Sequence, residues 1–235
     1  MEMTIYTADC SGNEKNSLYP NVCQINSEDA LKSAVSKDHV TAKFHRSHRS
    51  SSDFESSDCE VMDCDNDHSD DPAEWVTKDD IAELLDDVSF AIVPSRHDWK
   101  EKDGKSARPR FHVYFPHGIM TKAADSAALK KKIFEAFPFF DGNALDAARF
   151  IYGAPCETLL WHEGMLTIDE FLAESGDAHT SSIPQGQRNS TMSRFAGRVL
   201  KRHGISERSH GIFMDEAAKC DPPLPESELS KIWSS

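Results

Sequence analysis

The sequence predicts an α+β fold in which strands and helices alternate, followed by a small all-helical module. Between residues 60 and 150, short apolar segments with the two-residue period of strands alternate with segments that have the 3.6-residue period of helices. Beyond residue 186 only the helical period remains. We therefore expect a first domain at residues 1–175, a linker at 176–186 and a helical domain at 187–235.

The size and composition of the chain favour a cytoplasmic protein. Its 235 residues, 38% of them hydrophobic, suffice for one sizeable domain and an appendage. No apolar run approaches the roughly 20 residues that cross a bilayer, and no signal peptide opens the sequence. The six cysteines form no C-x-x-C pair, which is typical of reduced thiols. We expect no membrane partner.

The charge of the chain is distributed unevenly. The formal net charge of −14 argues weakly against nucleic-acid binding. However, residues 94–132 carry ten Lys and Arg against four acids, and residues 183–235 carry eight against six. A protein that is acidic overall can still present such basic surfaces to a phosphate backbone.

The elements of the first domain follow from local patterns. No assignment is made for the first forty residues. "HVTAKFHRSHRSSSDF" predicts a short strand and a polar loop that carries Arg46, His48 and Arg49. "CEVMDCD" predicts a strand, and Thr77 with Asp80 predicts a capping box that opens a helix through "KDDIAELLDD". "SFAIVP" predicts the next strand.

A clear alternation marks the segment "RFHVYFP". Arg110, His112 and Tyr114 share one face of this predicted strand, and Val113 with its phenylalanine neighbours forms the other. "DSAALKKKIFEAF" then predicts a helix with its three lysines outward. "PFFDGNALDAARFIYGAP" predicts a strand end, a turn and another short element.

Three helices are predicted in the C-terminal module. "NSTMSRFAGRVLKRHG" places its apolar residues on one stripe, and two shorter helices follow in "ERSHGIFMDEAAKC" and "ESELSKIW". The residues of the stripe are Met192, Phe195, Ala196, Val199 and Leu200.

An acidic cluster is the most unusual feature of the sequence. Nine acids and no Lys or Arg lie between residues 53 and 71. A calcium loop that starts at Asp63 fails, because His68 stands where glycine is required and Asp70 where an apolar residue packs. A solvated acidic turn is the second interpretation. The third is a site for a cation, because such a cluster repels itself unless something positive lies in it.

The order of residues favours the third interpretation. Asp63 and Asp65, two apart on a strand, would share one face, while Met62 and Cys64 point into the core. Paired carboxylates suit one or two Mg²⁺ or Mn²⁺ ions that hold phosphates. A third carboxylate would come from Asp141, which ends an apolar run, or from Asp146. Asp146 lies three residues before Arg149, so it could instead pair with Arg149 on a helix.

These residues resemble the motifs of the archaeo-eukaryotic primase superfamily, the primase-polymerases. The hhhDhD strand appears as "VMDCD", the s-x-H motif as "RFH", and the hD motif as "FD" at 140–141 or "LD" at 145–146. Arg110 stands where the s-x-H motif usually has a small residue. The tail "GQRNSTMSRFAGRVLKRHG", with "CDPPL" and "ELSKIW", resembles the primase C-terminal helical domain of phage and plasmid replication proteins.

The resemblance implies an RRM-like sheet with a flanking α/β unit, and template-directed nucleotidyl transfer that synthesises primers on single-stranded DNA. It implies two Mg²⁺ or Mn²⁺ ions, nucleoside triphosphates (NTP or dNTP) as substrates, and a separate replicative helicase as a possible partner. The implied metal ligands are Asp63, Asp65 and Asp141. The implied nucleotide-binding residues are His112, Arg110, Ser106, Lys105 and Arg149. In the helical module, a basic face for the template strand or the initiating nucleotide would consist of Arg188, Arg194, Arg198, Lys201 and Arg202. The alternative for this face is an ordinary solvated surface.

Two other functions remain open from the sequence. One is a replication-initiation DNA-binding protein whose catalytic site is degenerate. The other is a Mg²⁺-dependent nuclease, which would leave the His112 strand and the basic loop unexplained. The "DGKS" segment is not a Walker loop, since Trp99 occupies the required glycine position, so ATP hydrolysis is not expected.

Overall fold

A computed structural model describes residues 1–143, 145–177, 183–186, 188–203 and 205–234. The chain forms two compact units, one of residues 1–78 with 86–172 and the other of residues 79–85 with 173–235. The boundaries expected at 1–175 and 187–235 stay a prediction, and part of the expected linker at 176–186 lies outside the described residues.

The elements confirm a mixed α+β structure. The strands are β1 (Met3–Thr7), β2 (Asn21–Ile25), β3 (His39–Val40), β4 (Ala42–Phe44), β5 (Phe54–Cys64), β6 (Phe90–Pro94), β7 (Lys100–Lys102), β8 (Lys105–Arg108), β9 (Phe111–Met120), β10 (Phe150–Ile151), β11 (Leu160–His162), β12 (Ile183–Pro184) and β13 (Cys220–Asp221). The α-helices are α1 (Glu28–Val35), α2 (Lys78–Leu84), α3 (Ala123–Ala136), α4 (Ile168–Asp177), α5 (Arg188–His203), α6 (Glu207–Ala217) and α7 (Glu226–Trp233). Short 3₁₀ turns occupy His45–Ser47, Ser51–Asp53 and Pro72–Glu74.

Two antiparallel sheets organise the first unit. The larger has the strand order β11-β6-β9-β5-β4, and the smaller has the order β10-β3-β1-β2. In the larger sheet β9 lies between β5 and β6, so its residues have a neighbour on each side. The hairpin β7–β8 is separate from both sheets and leads directly into β9.

The larger sheet is covered on both faces, which explains why most of Phe111–His117 in β9 is buried. Val61 and Tyr114 lie in one cluster with Ile5 and Leu31, from the smaller sheet and α1. On the opposite face, α3 approaches β5, and its Lys130 pairs with Glu60. Since alternate residues of β5 face opposite sides, Asp63 lies on the face of Val61.

One outward-facing prediction is wrong. Lys130, expected on the exposed side of α3, has only 1% of its side chain exposed. Inside the unit, Glu60 lies 3.6 Å from its ammonium and balances the charge, and the Asp146 carbonyl accepts a 3.0 Å hydrogen bond from it. The segment Pro138–Phe140, expected as a strand end, forms a turn and a bend. The elements β1, β2 and α1 have no counterpart in the sequence prediction, whereas β3 and β4 lie in "HVTAKF", which is predicted as a short strand.

The second unit contains the three helices expected after residue 187. Met192 and Ala196 of α5 pack with Phe213 of α6 and Leu229 of α7. In addition, β12 and β13 form a short parallel pair that the sequence pattern did not predict. The likeness of this unit to a primase C-terminal domain stays a prediction. Within the described ranges, every helix is too short or too polar to cross a bilayer.

Candidate active site

The pairing of β5 with β9 brings Asp63 opposite His112. The Nδ1–H of His112 donates a 2.6 Å hydrogen bond to Oδ1 of Asp63. Asp63 is 4% exposed, although it lies next to the end of its strand. The bond leaves Nε2 of His112 as the ring nitrogen for another partner, because Nδ1 is committed to the carboxylate.

Arg149 holds the other oxygen of the same carboxylate. Its Nη2 donates a 2.7 Å hydrogen bond to Oδ2 of Asp63, from a position directly before β10 of the smaller sheet. Burial by itself would raise the pKa of Asp63, but the charges and hydrogen bonds of His112 and Arg149 outweigh it and hold that pKa well below its usual range. Asp63 is therefore ionised at neutral pH.

Asp141 reaches the same place through its backbone. Its N–H donates a 2.8 Å hydrogen bond to the carbonyl of Asp63. Its Oδ1 accepts from the backbone and side-chain nitrogens of Asn143, at 2.8 and 3.0 Å. Asp146, the alternative third carboxylate, instead accepts from the Ala148 N–H at 2.9 Å and so closes a local turn. That turn replaces the helix on which Asp146 was expected to pair with Arg149.

The sequence predicts Asp65 on the same strand as Asp63, but Asp65 lies one residue beyond the end of β5. Its Oδ2 accepts a 2.8 Å hydrogen bond from Lys102 of β7, and 22% of its side chain is exposed. Met62 and Cys64 are buried, as predicted. The two aspartates thus have different cationic partners, which come from different parts of the chain.

A cavity of about 360 Å³ opens beside these residues. Its walls carry the carboxylates of Asp65, Asp67 and Asp141, together with Lys105. Lys105 donates to the Asp67 carbonyl at 2.9 Å and lies 3.4 Å from the Asp67 carboxylate. The cavity therefore offers hard oxygen atoms and one cation to a ligand.

The donor set of the cavity is chemically suited to a divalent cation. Carboxylate oxygens are the ligands that Mg²⁺ and Mn²⁺ prefer. Among the described residues, Asp65 Oδ1 and Asp141 Oδ2 make no hydrogen bond. Both oxygens of Asp63, however, are held by His112 and Arg149. Within the same described residues, no three His, Cys, Asp or Glu side chains lie close enough together to hold a metal ion.

The residues expected to bind phosphates have protein groups as partners in the structure, and these partners differ from residue to residue. Arg110 is fully buried, donates to the Lys100 carbonyl at 2.7 Å and lies 3.5 Å from the Asp67 carboxylate. Ser106 accepts a hydrogen bond from Arg108 at 3.0 Å. The structure thus ties Arg110 into the protein interior, because it precedes β9 and faces the acidic loop. Phosphate binding by these residues stays a prediction.

Arg108 and Asn66 organise the acidic loop, and the sequence patterns did not single them out. Arg108, fully buried, donates to the Asn66 and Ser69 carbonyls, both at 3.0 Å, and to Asp70 at 2.6 Å. Asn66 has a φ of 53°, and its side chain bonds both the N–H and the carbonyl of Val76. An asparagine amid aspartates was the available signal, since asparagine tolerates left-handed backbone.

The predicted DNA-binding face is described at one residue. The Arg188 guanidinium donates to the carbonyls of Pro222 and Pro223, the latter at 3.2 Å, so it links the start of α5 to the Pro-rich turn. The other four predicted residues have side chains outside the described part of the structure. They are Arg194, Arg198, Lys201 and Arg202.

The first unit is therefore a mixed α+β body with a polar cleft, in which a buried carboxylate–histidine–arginine group lies beside a carboxylate-lined cavity. No family model matches the chain, and no curated protein sequence matches it. Among solved structures, the chain is similar to the AEP domain of the cyanophage S-2L primase-polymerase, at 16% identity and a TM-score of 0.41. The match covers 73% of this chain and 88% of that one. This TM-score is too low to establish a shared fold or function.

Proposed function

We propose that this chain is a primase-polymerase, a nucleotidyltransferase that synthesises primers on single-stranded DNA from nucleoside triphosphates. The observation that supports it is the convergence of the three motif segments. His112 bonds the Asp63 carboxylate at 2.6 Å, and the Asp141 N–H bonds the Asp63 carbonyl at 2.8 Å. Residues that the motifs relate are thus neighbours in space although 49 or more positions separate Asp63 from each of the other two.

The residues of the cleft would divide the work between them. Asp65 and Asp141, with Asp63, would hold divalent ions, which would supply activation of the attacking hydroxyl and charge neutralisation at the triphosphate. His112, held by Asp63 at Nδ1, would donate from Nε2 to a phosphate oxygen in its imidazolium form, which has a proton on both ring nitrogens. Lys105 and Arg149 would add positive charge near the same phosphates.

The test is primer synthesis on single-stranded DNA with Mg²⁺ or Mn²⁺ and labelled NTP or dNTP. Asp141→Asn should abolish incorporation, because it removes a carboxylate of the cavity. Asp146→Asn is the matched control and should retain most of it, since that side chain closes a turn. Equal activities in the two variants, or full activity after replacing both Asp63 and Asp65 by Ala, would refute the proposed mechanism.

One observation favours a second candidate, a replication-initiation protein that binds DNA with a degenerate catalytic site. Both oxygens of Asp63 are engaged by His112 and Arg149, and among described residues no metal-binding group of three is assembled. Such a protein would bind single-stranded DNA and incorporate no nucleotide with either metal. A nuclease would instead degrade DNA in the absence of nucleotides. The same reactions therefore separate all three functions.

A further inference from the structure

A basic loop, residues 45–52 ("HRSHRSSS"), is the feature that the proposed mechanism leaves without a role. It forms most of the connection from β4 to β5 and contains two arginines, two histidines and four serines. The next residue, Asp53, lies 3.1 Å from His48, and Glu55 of β5 lies 3.3 Å from His45, so the arginines carry the positive charge of the loop. In a chain of net charge −14, such a segment is a local exception. Its arginines and serines carry guanidinium and hydroxyl groups, which are among the groups that proteins use to contact phosphates.

Two backbone contacts fix the middle of the basic loop. The N–H of Arg49 donates to the Ser17 carbonyl at 2.7 Å, and the N–H of Tyr19 donates to the Ser47 carbonyl at 2.9 Å. The guanidinium of Arg49 lies 4.8 Å from the centre of the Phe150 ring. The loop is therefore held in one position on the first unit.

Next to this anchored part of the basic loop, Arg46 is exposed and has strained backbone. Arg46 and Ser47 both have left-handed backbone, with φ of 51° and 58°, which is unfavourable for residues other than glycine. Arg46 is exposed and makes no hydrogen bond or ion pair with any residue that the structure describes. Strain that holds a charged side chain in solvent is typical of ligand-binding segments. Beside it, Leu18 is 53% exposed and bridges to the backbone of His48.

The basic loop also lies next to the candidate active site. Nη1 of Arg49 donates to the Ala148 carbonyl at 3.1 Å, and the following residue, Arg149, bonds Asp63 at 2.7 Å. Ala148, to which the loop is anchored, is therefore the residue directly before Arg149 of the carboxylate–histidine–arginine group. A polymer whose end reaches Asp63 would pass close to the loop.

We propose that the basic loop binds the sugar–phosphate backbone of a single-stranded nucleic acid, with Arg46 in contact with a phosphate and Leu18 beside a sugar or base. This inference rests on the proposed function, because the strand would be the template or primer at the same site. An anionic membrane is the less suitable partner, because such binding takes a cluster of about four to eight Lys or Arg and the loop has two arginines.

The test measures binding of a fluorescently labelled 20-nucleotide oligo(dT) to the full chain by anisotropy, in EDTA and without nucleotides. Arg46→Asn removes the charge and keeps a residue that accepts left-handed backbone. Arg46→Lys retains the charge. Lys132→Asn, an exposed residue of α3, is the matched control for loss of one positive charge.

Arg46→Asn should weaken binding about three- to tenfold at low salt and lower the slope of log K against log salt by about 0.7, as loss of one phosphate contact to a single strand requires. Arg46→Lys should keep most of the wild-type affinity and salt slope, and Lys132→Asn should change neither the affinity nor the slope. Equal effects of the Arg46 and Lys132 variants, no binding by the wild type, or Arg46-dependent binding of phosphatidylserine vesicles instead of the oligonucleotide would overturn the inference. Because the binding assay contains no metal or nucleotide, its result does not depend on whether the protein synthesises primers.

Discussion

Replacing Asp63 by Asn tests whether one buried carboxylate holds the candidate site together. Its two oxygens accept from His112 at 2.6 Å and from Arg149 at 2.7 Å, and its side chain is 6% exposed. An amide has a single acceptor oxygen, so one of the two donors must lose its partner. The substitution also leaves the positive charge of Arg149 unbalanced.

The magnitude follows from these contacts. A hydrogen bond to a charged group is worth about 1.5–3 kcal/mol, and breaking a buried ion pair costs about 3–5 kcal/mol. Because 38% of the Arg149 side chain is exposed, solvent screens its share of the pair. We therefore expect Asp63→Asn to lower the free energy of unfolding by about 2–4 kcal/mol at pH 7.

The assay is urea unfolding of the wild type, Asp63→Asn and Asp65→Asn between pH 7 and pH 3. Asp65→Asn is the control, since its bond to Lys102 is more exposed and worth about 0.5–1 kcal/mol. The pKa of Asp63 is lower in the folded than in the unfolded chain. Its contribution is thus complete above the unfolded pKa, about 3.9, and is lost as the pH falls further. The gap between wild type and Asp63→Asn should shrink below pH 4. Equal losses in both variants at pH 7, or a gap independent of pH, would show that Asp63 does not hold its two partners.

Three further predictions concern residues around the site. In urea unfolding, Asn66→Ala should lower the free energy of unfolding by about 2–4 kcal/mol, because it removes the side-chain hydrogen bonds and strains the φ of 53°. Asn66→Gly should cost about 1 kcal/mol less, because glycine accepts this φ but does not replace the hydrogen bonds. Equal losses in the two variants would contradict this. Lys130→Met should cost about 3 kcal/mol, at the lower end for breaking a buried ion pair, because His117 still lies 3.6 Å from Glu60. Adding Glu60→Gln should recover part of that loss in a double-mutant cycle. Burial lowers the pKa of His39 to about 4, so its contribution to stability is present above its unfolded pKa, about 6.5, and is lost as the pH falls towards 4; an NMR titration midpoint near 6.5 would rule this out.

Much of the fold was predictable wherever one segment carried its own periodicity. The strands β5, β6 and β9 and the helices α3 and α5 each show a period that survives without knowledge of their neighbours. The edge strand β2 does not, because most of "NVCQI" is exposed and its place depends on pairing with β1. The prediction that Lys130 is exposed is wrong because its burial also depends on a distant partner, Glu60, which lies 70 positions earlier.

The candidate site was predictable in part. Local strand patterns and the motif spacing related Asp63 to His112, and the register of β5 with β9 pairs them. The bond from Arg149 to Asp63 was not predictable, because it depends on where β10 joins β3 in a different sheet. Sequence reasoning assigned Arg149 to a phosphate or to Asp146, since both were compatible with its position along the chain.

The acidic cluster shows why composition alone does not identify a metal site. Aspartates that would bind a divalent ion and aspartates that pair with lysine or arginine look the same in the sequence, and the difference lies in cations elsewhere. Here Lys102 pairs with Asp65 and Lys105 with Asp67, from a hairpin 37 to 38 positions away. Lysine and arginine are also the residues that bind phosphates. A triphosphate in the cleft would therefore compete for these cations, and each cation that it drew away would leave an aspartate oxygen for a divalent ion. On this argument the internal pairing and the proposed chemistry are compatible, because the same charges serve the protein alone and the protein with its substrate.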